Sequence, residues 1–504
     1  MALVPEFETF RAGYEAGANQ LVYTRLAADL DTPVSLMLKL SAAGKHSFML
    51  ESVTGGEVRG RYSMIGMNPD LLWECRGETS RINRAARYDD EAWEDLSGSP
   101  LDTLRAVLAE SRIDIPDGLP AASAGLFGYL GYDMIRLVER LPNCPPDTLG
   151  LPDAMMLRPS VVAVLDGVKG EVILCSPAWA GSGLSARAAY AQAAERVMDA
   201  QRALDRPVAA LAGRSLGDTT PAGPPVSNFT KEGYKAAVET AKEYIRAGDI
   251  FQVVPSQRWA QDFREPPFAL YRSLRRTNPS PFMFFFNFGG FQVIGASPEI
   301  LVRVFGREVT IRPIAGTRPR GATPAQDKAN EVDLMADKKE LAEHLMLLDL
   351  GRNDVGRVAK IGTVEPTEQF IVERYSHVMH IVSNVIGELD EEHDALSALL
   401  AGLPAGTVSG APKVRAMEII DELEPEKRGV YGGGVGYFSA GGDMDMCIAL
   451  RTAVLKDETL YIQAGGGVVY DSDPEAEYME TVHKSNAIRR AAEDASVFRG
   501  DGNR

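Results

Sequence analysis

The pattern of apolar and polar positions divides the chain into strand-like and helix-like segments. Short apolar runs bounded by turn residues, such as "PSVVAVLD" (159–166) and "GEVILCSP" (170–177), predict buried strands. An alanine-rich segment from about Leu184 to Leu204 predicts a helix. The apolar stretch "PFMFFFNFGGFQVIGA" (281–296) predicts two buried strands around a turn, since glycines and Asn287 interrupt it.

The two halves of the chain are separated by a segment of different composition. Residues 205–228 are rich in Gly, Pro, Ser and Thr, which is typical of a linker. They divide an N-terminal lobe (1–204) from a second domain (229–498), whose first helix should begin after Thr230. In both halves strands outnumber helices without regular alternation. This favours an α+β fold with large antiparallel sheets.

Composition and charge exclude several classes of protein. The 504 residues are 45% hydrophobic and carry a formal net charge of -17 without a basic run, which argues against nucleic-acid binding. The N-terminus lacks the basic start and apolar run of a signal peptide, and no apolar stretch is long enough for a membrane span. The cysteines are isolated along the sequence. We therefore expect a reduced, cytoplasmic protein without a zinc site.

An acidic segment near the C-terminus, "DPEAEYMETVHK" (473–484), predicts the start of a helix. Asp473 and Pro474 are typical N-cap and first-turn residues. Glu477, Glu480 and Lys484 would then lie on one helix face. Such a face is either a solvated surface with ordinary ion pairs or half of a site for a hard metal ion.

A second acidic helix is predicted from Asp337 to Asp354. Its apolar stripe is Leu341, Leu345 and Leu348, and Glu343 lies one position from that stripe. Magnesium takes oxygen ligands and typically uses one or two protein carboxylates together with substrate anions. Glu343 could therefore join the acidic face of the C-terminal helix in one magnesium site.

Three glycine-rich segments lie near the C-terminus: "YGGGVGYF" (431–438), "SAGGDMD" (439–445) and "AGGGVV" (464–469). The second segment predicts a hairpin turn. The other two lie in strand-like runs, where glycine indicates close approach of backbone to another group, such as a ligand carboxylate. None has a phosphate-loop or dinucleotide-binding context, which disfavours nucleotide binding.

Four further polar side chains stand in otherwise apolar motifs: Glu299 in "GASPEIL", His380 in "SHVMHIVS", Thr407 in "AGTVSGAPKVRAM" and Arg451 in "IALRTAV". His380 shares its motif with His377, and a lone histidine is more often structural than catalytic. An unpaired guanidinium in an apolar strand is costly, so Arg451 requires an anionic partner. A substrate carboxylate would supply one.

These motifs resemble the chorismate-utilising enzymes, and among them the anthranilate synthase component I family. The matching segments include "GDIFQVVPSQR", "RPIAGTRPRG", "AEHLMLLDLGRNDVGRV" and "QAGGGVVYDSDPEAEYMET", and they follow in order through about residues 225–495. "FMLESV" and "GRYSMIG" resemble the start of the same family. The resemblance implies two lobes whose sheets pack as a sandwich with helices outside and an active site in the cleft.

Single positions distinguish the branches of that family. Ala315 stands where related aminodeoxychorismate synthases carry a nucleophilic lysine, and it can form no covalent bond to a substrate. Gln252 stands where isochorismate and salicylate synthases carry a lysine that activates water, and a neutral amide cannot act as that base. Both positions point to ammonia as the nucleophile. No cysteine lies in a Gly-x-Cys-x-Gly elbow, so we expect ammonia from a glutamine amidotransferase partner or from solution.

The resemblance assigns the acidic face to substrate binding. Magnesium held by Glu343, Glu477 and Glu480 would bind the ring carboxylate of chorismate. The Lys484 side chain and the backbone amides of Gly465, Gly466 and Gly467 would lie beside that carboxylate.

The resemblance also implies roles for the remaining polar residues. Arg451 and Tyr431 would hold the enolpyruvyl carboxylate. Glu299 would be the general acid that protonates the departing ring hydroxyl, which requires a raised pKa. His380 would assist the loss of pyruvate, and Thr407 would line the ring pocket beside Gln252.

A regulatory site for L-tryptophan is implied where "FMLESV" meets "NPSPFMFFF". Glu51 and Ser52 interrupt an apolar run with groups able to receive an ammonium, and Pro281 and Met283 offer an apolar wall for an indole. For Phe284 to Phe286 a core strand is the alternative interpretation.

The implied activity is conversion of chorismate and ammonia to anthranilate, pyruvate and water, the first committed step of tryptophan biosynthesis. Feedback inhibition by tryptophan and a heterotetramer with the amidotransferase subunit are implied with it. Two alternatives stay open at this point. One is an aminodeoxychorismate synthase acting without its lysine, and the other is a catalytically silent tryptophan-binding regulatory protein.

Overall fold

The computed structural model describes residues 2–41, 45–52, 60–208, 223–375 and 378–498. Most of the predicted linker, residues 209–222, lies outside these ranges. Its last part forms a short strand, in which Val226 and Ser227 pair with Ala260 and Trp259. The domain boundary at 205–228 therefore stays a prediction.

Within the described ranges the chain forms eleven α-helices. In chain order they are α1 Phe7–Glu15, α2 Pro33–Leu40, α3 Pro100–Glu110, α4 Ala186–Leu204, α5 Lys231–Ala247, α6 Pro267–Thr277, α7 Pro324–Ala336, α8 Lys338–Gly356, α9 Ala395–Gly402, α10 Lys413–Leu423 and α11 Pro474–Glu493.

The same ranges contain 23 strands, most of them short. In the first half they are β1 Gln20–Ala27, β2 His46–Glu51, β3 Tyr62–Arg76, β4 Thr79–Asn83, β5 Trp93–Leu96, β6 Gly125–Leu130, β7 Ala154–Asp166, β8 Glu171–Ala178 and β9 Val226–Ser227. In the second half they are β10 Gln252–Val253, β11 Ser256–Asp262, β12 Phe282–Phe288, β13 Gln292–Ser297, β14 Ile300–Phe305, β15 Glu308–Ile311, β16 Ile314–Pro319, β17 Glu365–Arg374, β18 Val378–Glu388, β19 Gly410–Ala411, β20 Gly434–Ser439, β21 Met444–Ile448, β22 Thr452–Lys456 and β23 Thr459–Gly465.

Capping residues fix the starts of the predicted helices. The Asp473 side chain accepts a hydrogen bond from the Ala476 amide and is followed by Pro474 at the first position of α11. The Thr230 hydroxyl accepts from the Gly233 amide at the start of α5. Both starts are confirmed, as are the strands predicted at 159–166, 170–177 and 281–296.

Apart from the two-stranded pair β10–β19, the described strands join one hydrogen-bonded sheet of 21 strands. Every pairing in it is antiparallel, as in β12–β2, where Met283 lies opposite Glu51. The α+β class with a large antiparallel sheet is therefore confirmed.

Strands of the two sequence halves are interleaved in this sheet. One C-terminal group runs from β11 through β23, β22 and β13 to β12, which pairs with the N-terminal strand β2. From β2 the bonds lead through β3 and β7 to β6, which pairs with β20 of a second C-terminal group. The N-terminal strands thus connect two groups of C-terminal strands.

The sheet folds back on itself around an aromatic core. Tyr129 on β6 lies edge-on to Phe288 at 5.6 Å and to Phe291 at 6.2 Å, although three strands separate β6 from β12 in the hydrogen-bonding order. Phe48 of β2 stacks on Phe127 of β6 at 4.2 Å. These contacts across the sheet match the expected sandwich. Phe284 to Phe286 are all buried, so the core interpretation of that segment is correct.

The buried face of α8 differs from the predicted stripe. Leu345 is 55% exposed, whereas His344, Leu347, Leu348 and Gly351 are buried. His344 replaces Leu345 on the buried face, and its Nε2 is 2.6 Å from the Ser383 hydroxyl on β18.

Two further properties follow from the described residues. No helix among them is both long enough and apolar enough to cross a membrane. Cys75, Cys144, Cys175 and Cys447 are all free, and only Cys144 is exposed.

Candidate active site

Glu299 is a buried carboxyl group at the start of β14. Burial raises its pKa to about 8, and the nearby Thr407 hydroxyl, the Ile314 amide and Lys484 offset only part of that rise. Thr407 Oγ1 donates to Glu299 Oε1 over 3.2 Å. No salt bridge to Glu299 exists among the described residues. Its side chain is therefore mostly protonated at neutral pH, as a general acid requires.

Thr407 lies in a 3-10 turn, Gly406–Val408, that faces α8. A cavity of about 20 Å³ lies between this turn and the helix, lined in part by Glu299, Thr407 and Leu347. A Cβ on Gly406 would lie 2.3 Å from Leu350 Cδ2, so a larger residue there would require the Leu350 side chain to shift. The turn and α8 are therefore closely packed beside Thr407.

His380 on β18 is neutral at physiological pH. Burial lowers its pKa to about 4, with a smaller contribution from the charge of Arg451. Its Nδ1 is 3.0 Å from the Gly316 carbonyl oxygen, which can only accept, so the proton sits on Nδ1. Nε2 is then free to accept a proton. His377, in the same motif, lies outside the described residues.

Arg451 occupies a bend directly before β22, so its predicted place inside a strand is wrong. Its φ of 48° is in the left-handed region, so the extended backbone is interrupted between the consecutive strands β21 and β22. Burial lowers the pKa of its guanidinium. Among the described residues Arg451 has no salt bridge. The expected need for an anionic partner is therefore met by no protein side chain of this part of the chain.

Glycines let the backbone approach Tyr431 and Glu477. Burial raises the pKa of Tyr431 to about 12, and a Cβ on Gly465 would lie 2.9 Å from its hydroxyl oxygen. A Cβ on Gly466 would lie 3.1 Å from Glu477 Oε2. The predicted close approach in this glycine segment is confirmed. The middle segment, 439–445, forms the predicted hairpin turn between β20 and β21.

Gln252 links the third glycine to α8. Its Nε2 donates to Glu343 Oε1 over 2.9 Å, and a Cβ on Gly467 would lie 2.7 Å from the same nitrogen. The Gln252 Oε1 atom is buried without a hydrogen-bond partner. A buried, unpaired amide oxygen is costly unless a ligand completes it.

The acidic face of α11 is partly satisfied by the protein. Ser472 donates to Glu477 Oε1 over 2.7 Å, whereas Glu477 Oε2 is buried without a partner. Glu480 pairs with Lys484 over 2.7 Å, and the Lys484 ammonium also donates to the Gly465 carbonyl over 3.0 Å. Glu480 and Lys484 thus form the ordinary ion pair of the first interpretation, and the metal-site interpretation stays a prediction.

The three glutamates suit a hard cation by chemistry. Burial raises the pKa of Glu343 and of Glu477, and repulsion from Glu480 contributes to both shifts. The charge of Glu480 thus acts on both of the other carboxylates. Within the described ranges no group of three or more His, Cys, Asp or Glu side chains converges on one point suited to a metal ion. The unpaired Glu477 Oε2 nevertheless provides an oxygen ligand that no protein group uses.

The predicted regulatory residues line a second, larger cavity of about 410 Å³, which is bordered by Glu51, Ser52, Pro281 and Met283. The Glu51 carboxylate is not open, contrary to its predicted readiness for an ammonium. It accepts from Tyr271 Oη over 2.5 Å and from Arg275 Nε over 2.6 Å, both on α6.

The sequence of this chain matches known proteins over most of its length. Residues 68–490 match the family described as chorismate binding enzyme. Anthranilate synthase component 1 of Cereibacter sphaeroides is 77% identical over 98% of each chain. That of Pseudomonas putida is 51% identical over 92% of this chain and 93% of the relative. The chain belongs to the chorismate-binding enzymes, in the anthranilate synthase component 1 family.

Solved structures agree with this family. Anthranilate synthase component I from Streptococcus pneumoniae is 37% identical and covers 92% of this chain and 99% of its own, with a TM-score of 0.76. The menaquinone-specific isochorismate synthase of Escherichia coli has a TM-score of 0.70 over 97% of this chain and 100% of its own, but only 20% identity, and it shows the fold alone.

Sequence reasoning missed three buried residues beside this site, Glu424, Arg428 and Ser256. Glu424 and Arg428 lie in "EPEKRG", which reads as an exposed turn because five of its six residues are charged or proline. A charged side chain that is buried by tertiary contacts leaves no signal in local pattern. The apolar residues Val430 and Tyr431, which follow this segment, were the sequence signal that could have indicated its burial.

Proposed function

We propose that this chain is the large subunit of an anthranilate synthase, which converts chorismate and ammonia into anthranilate, pyruvate and water. The observation that carries the proposal is Glu299, a buried carboxyl group with a pKa of about 8 and no salt bridge to any described residue. Elimination of a ring hydroxyl needs a proton donor that keeps its proton at neutral pH.

The steps follow from the protonation states of the site. Ammonia adds to the ring as Glu299 gives its proton to the departing hydroxyl, which leaves as water. The neutral His380 then assists removal of a ring proton and loss of pyruvate, since its Nε2 can accept. Arg451 and Tyr431 hold the enolpyruvyl carboxylate, and Thr407 lines the ring pocket.

Two residues favour ammonia over other nucleophiles. Ala315 on β16 offers no side chain that could attack the ring. Gln252, already bonded to Glu343, cannot deprotonate water. Chorismate in this site would therefore meet ammonia rather than a lysine or a hydroxide.

Magnesium suits the carboxylates of Glu343, Glu477 and Glu480. When bound, the cation would supply positive charge for the ring carboxylate of chorismate. Glu477 Oε2 is available to it, and Lys484 would exchange part of its contact with Glu480 for the substrate. The amides of Gly465, Gly466 and Gly467 would complete the carboxylate site.

The source of ammonia would be a glutamine amidotransferase subunit in a heterotetramer, in the cytoplasm. The naming of the relatives as component 1 supports a second component. The reaction would be the first committed step of tryptophan biosynthesis.

L-Tryptophan would inhibit by filling the cavity beside Glu51, Ser52, Pro281 and Met283. This cavity lies where β2 of the first half pairs with β12 of the second, so a ligand there could shift the halves relative to each other. Its ammonium would have to compete with Arg275 for the Glu51 carboxylate.

Product identification tests the proposal. Purified chain is incubated with chorismate, magnesium and an ammonium salt at elevated pH, where free ammonia is available, and the aromatic product is identified by mass spectrometry. Anthranilate should form, and glutamine should not replace ammonium. Aminodeoxychorismate, isochorismate or no product would reject the proposed activity, and glutamine-dependent anthranilate from pure chain would reject the need for a partner.

A further inference from the structure

Arg428 is a buried guanidinium just before Tyr431. Its side chain is 1% exposed, and it pairs with Glu424 through Nε to Oε2 at 3.0 Å and Nη2 to Oε1 at 2.5 Å. Its Nη1 donates to the Val408 carbonyl and its Nη2 to the Val254 carbonyl, each over 2.6 Å. One side chain thus bonds three separate segments of the chain.

Glu424 adds a second contact to the segment that contains Val254. Its Oε1 accepts from the Ser256 amide over 2.7 Å and from the Ser256 hydroxyl over 2.9 Å. Gln463 Nε2 donates to the same hydroxyl over 2.8 Å. Ser256 lies directly opposite Gly465 in the β11–β23 pairing.

Each of these bonds lies within two positions of a residue in the proposed site. Val408 follows Thr407, Val254 is two positions after Gln252, and Ser256 faces Gly465 across the sheet. The Arg428 guanidinium also lies 5.5 Å from the centre of the Tyr431 ring. The pair therefore contacts the backbone next to Thr407, next to Gln252 and opposite Gly465, and it also lies beside the Tyr431 ring.

Stability alone does not explain such a pair. Removing two charges from water is costly, and apolar residues of the same volume often replace a buried ion pair without loss of stability. What apolar residues cannot do is bond two carbonyl groups and an amide at fixed positions. These contacts are therefore better explained by positioning of the backbone than by stabilisation of the fold.

We propose that Arg428 and Glu424 form a positioning pair that sets the chorismate pocket by fixing the backbone beside Thr407, Gln252 and Gly465. This inference rests on the proposed function. Neither residue touches the reacting atoms. A displacement of about 1 Å at these segments is expected to cost roughly 100-fold in rate, because the acid and the carboxylate contacts would no longer align.

Two variants separate positioning from stability. Arg428→Lys keeps the charge but cannot bond Val254, Val408 and Glu424 together. The double variant Arg428→Met with Glu424→Gln removes the charge pair and preserves volume. The matched control is Arg158→Lys on β7, whose guanidinium is equally engaged, with Asp70 at 2.7 Å and Glu110 at 3.0 Å, away from the proposed site.

The readouts are the thermal midpoint, the dissociation constant of chorismate by calorimetry with magnesium and without ammonium, and the two KM values. For Arg428→Lys we expect chorismate to bind at least about tenfold more weakly and kcat/KM to fall roughly 100-fold, with the KM for ammonia within about twofold of wild type. The double variant should keep a near wild-type midpoint and still bind chorismate weakly. The control should change only the midpoint.

Three outcomes would overturn the positioning pair. The first is wild-type chorismate binding in the double variant, the second is an equal loss in the control, and the third is failure of both Arg428 variants to fold, which would make the pair structural. These outcomes are distinct from failure of the proposed function. If wild-type protein binds chorismate without forming anthranilate, the activity is wrong, and the binding data still decide the role of the pair.

Discussion

Glu299 and Glu51 are both buried glutamates, 6% and 5% exposed, yet their surroundings are opposite. Glu51 on β2 is bonded by the Arg275 guanidinium and the Tyr271 hydroxyl of α6. Glu299 has no salt bridge among the described residues. Burial raises its pKa to about 8, and the Thr407 hydroxyl, the Ile314 amide and the charge of Lys484 offset only part of that rise. One carboxylate is compensated by a cation and the other is not.

The difference shows how partners decide what a buried acid does. A carboxylate that is paired with a cation holds two elements together, here β2 and α6. A carboxyl group without one keeps its proton and can give it away. Burial alone would have placed both residues in one class, so the neighbouring side chains, rather than exposure, distinguish the proton donor from the structural acid.

The largest effect is expected at the three glutamates of the proposed magnesium site. Glu343→Gln, Glu477→Gln or Glu480→Gln should each lower anthranilate formation by roughly 1,000-fold or more, because each removes a charge from the proposed magnesium site and little packing. The measurement is the rate at saturating magnesium, with circular dichroism to verify the fold. Wild-type activity in any one variant would remove that residue from the site.

The two buried glutamates should affect stability in opposite directions. Between about pH 4.5 and 8 the folded protein keeps the Glu299 proton and the unfolded chain does not. The free energy of unfolding of the wild type therefore falls as the pH rises through this window. Glu299→Gln lacks this proton. Its free energy of unfolding relative to wild type should therefore rise by on the order of 3 to 5 kcal/mol between pH 4.5 and 8.

Glu51→Gln is the matched variant in the same unfolding experiments. It should be destabilised by about 1 to 2 kcal/mol at neutral pH, because the hydrogen bonds from Arg275 and Tyr271 lose their charged acceptor and Arg275 is partly exposed. Denaturant unfolding at several pH values measures both variants. If the difference in free energy of unfolding between Glu299→Gln and wild type stayed constant across this pH range, Glu299 would not be a buried carboxyl group that lacks a paired cation.

The pH dependence of the rate should follow Glu299. At a constant concentration of free ammonia, the rate should be level below pH 8 and then fall up to about tenfold per pH unit, because the acid loses its proton. Glu51→Gln should show the same profile. A wild-type rate that stays level to about pH 9.5 would mean that another group protonates the hydroxyl.

The smallest effect is expected on regulation. Ser52→Phe should fill part of the cavity beside Glu51 and weaken inhibition by L-tryptophan about tenfold or more, with the uninhibited rate within about twofold of wild type. Inhibition is measured against chorismate with the isolated chain. If tryptophan at millimolar concentration changes neither the rate nor the thermal midpoint of wild type, the cavity is not a tryptophan site.

The local sequence pattern was sufficient to predict those elements that depend only on neighbouring residues. The α11 start was predictable from Asp473 and Pro474, and the β12–β13 hairpin from its glycines, because caps and turns depend on near neighbours. The register of the α8 face was missed, since the His344 contact with Ser383 depends on a strand about 40 residues away. The pairing of β2 with β12 was suggested by the resemblance alone.

The candidate site also contains features that the sequence could predict and features that depend on the fold. Motif resemblance named Glu299, His380 and Arg451, but their states needed the fold. Burial raises the pKa of Glu299, and no carboxylate among the described residues forms a salt bridge with Arg451. Glu424 and Arg428 could not be predicted, since their burial arises from segments up to about 170 residues distant.

The most direct test compares anthranilate formation by Glu299→Gln and Glu51→Gln. Both are measured with saturating chorismate and magnesium at neutral pH and one concentration of free ammonia, and folding of each variant is verified beforehand. Glu299→Gln should lose about 100- to 10,000-fold in kcat, the range for a missing general acid, while Glu51→Gln should stay within about threefold of wild type. A Glu299→Gln variant with the wild-type rate, or losses of equal size in the two variants, would contradict the assignment of the uncompensated carboxyl group as the proton donor.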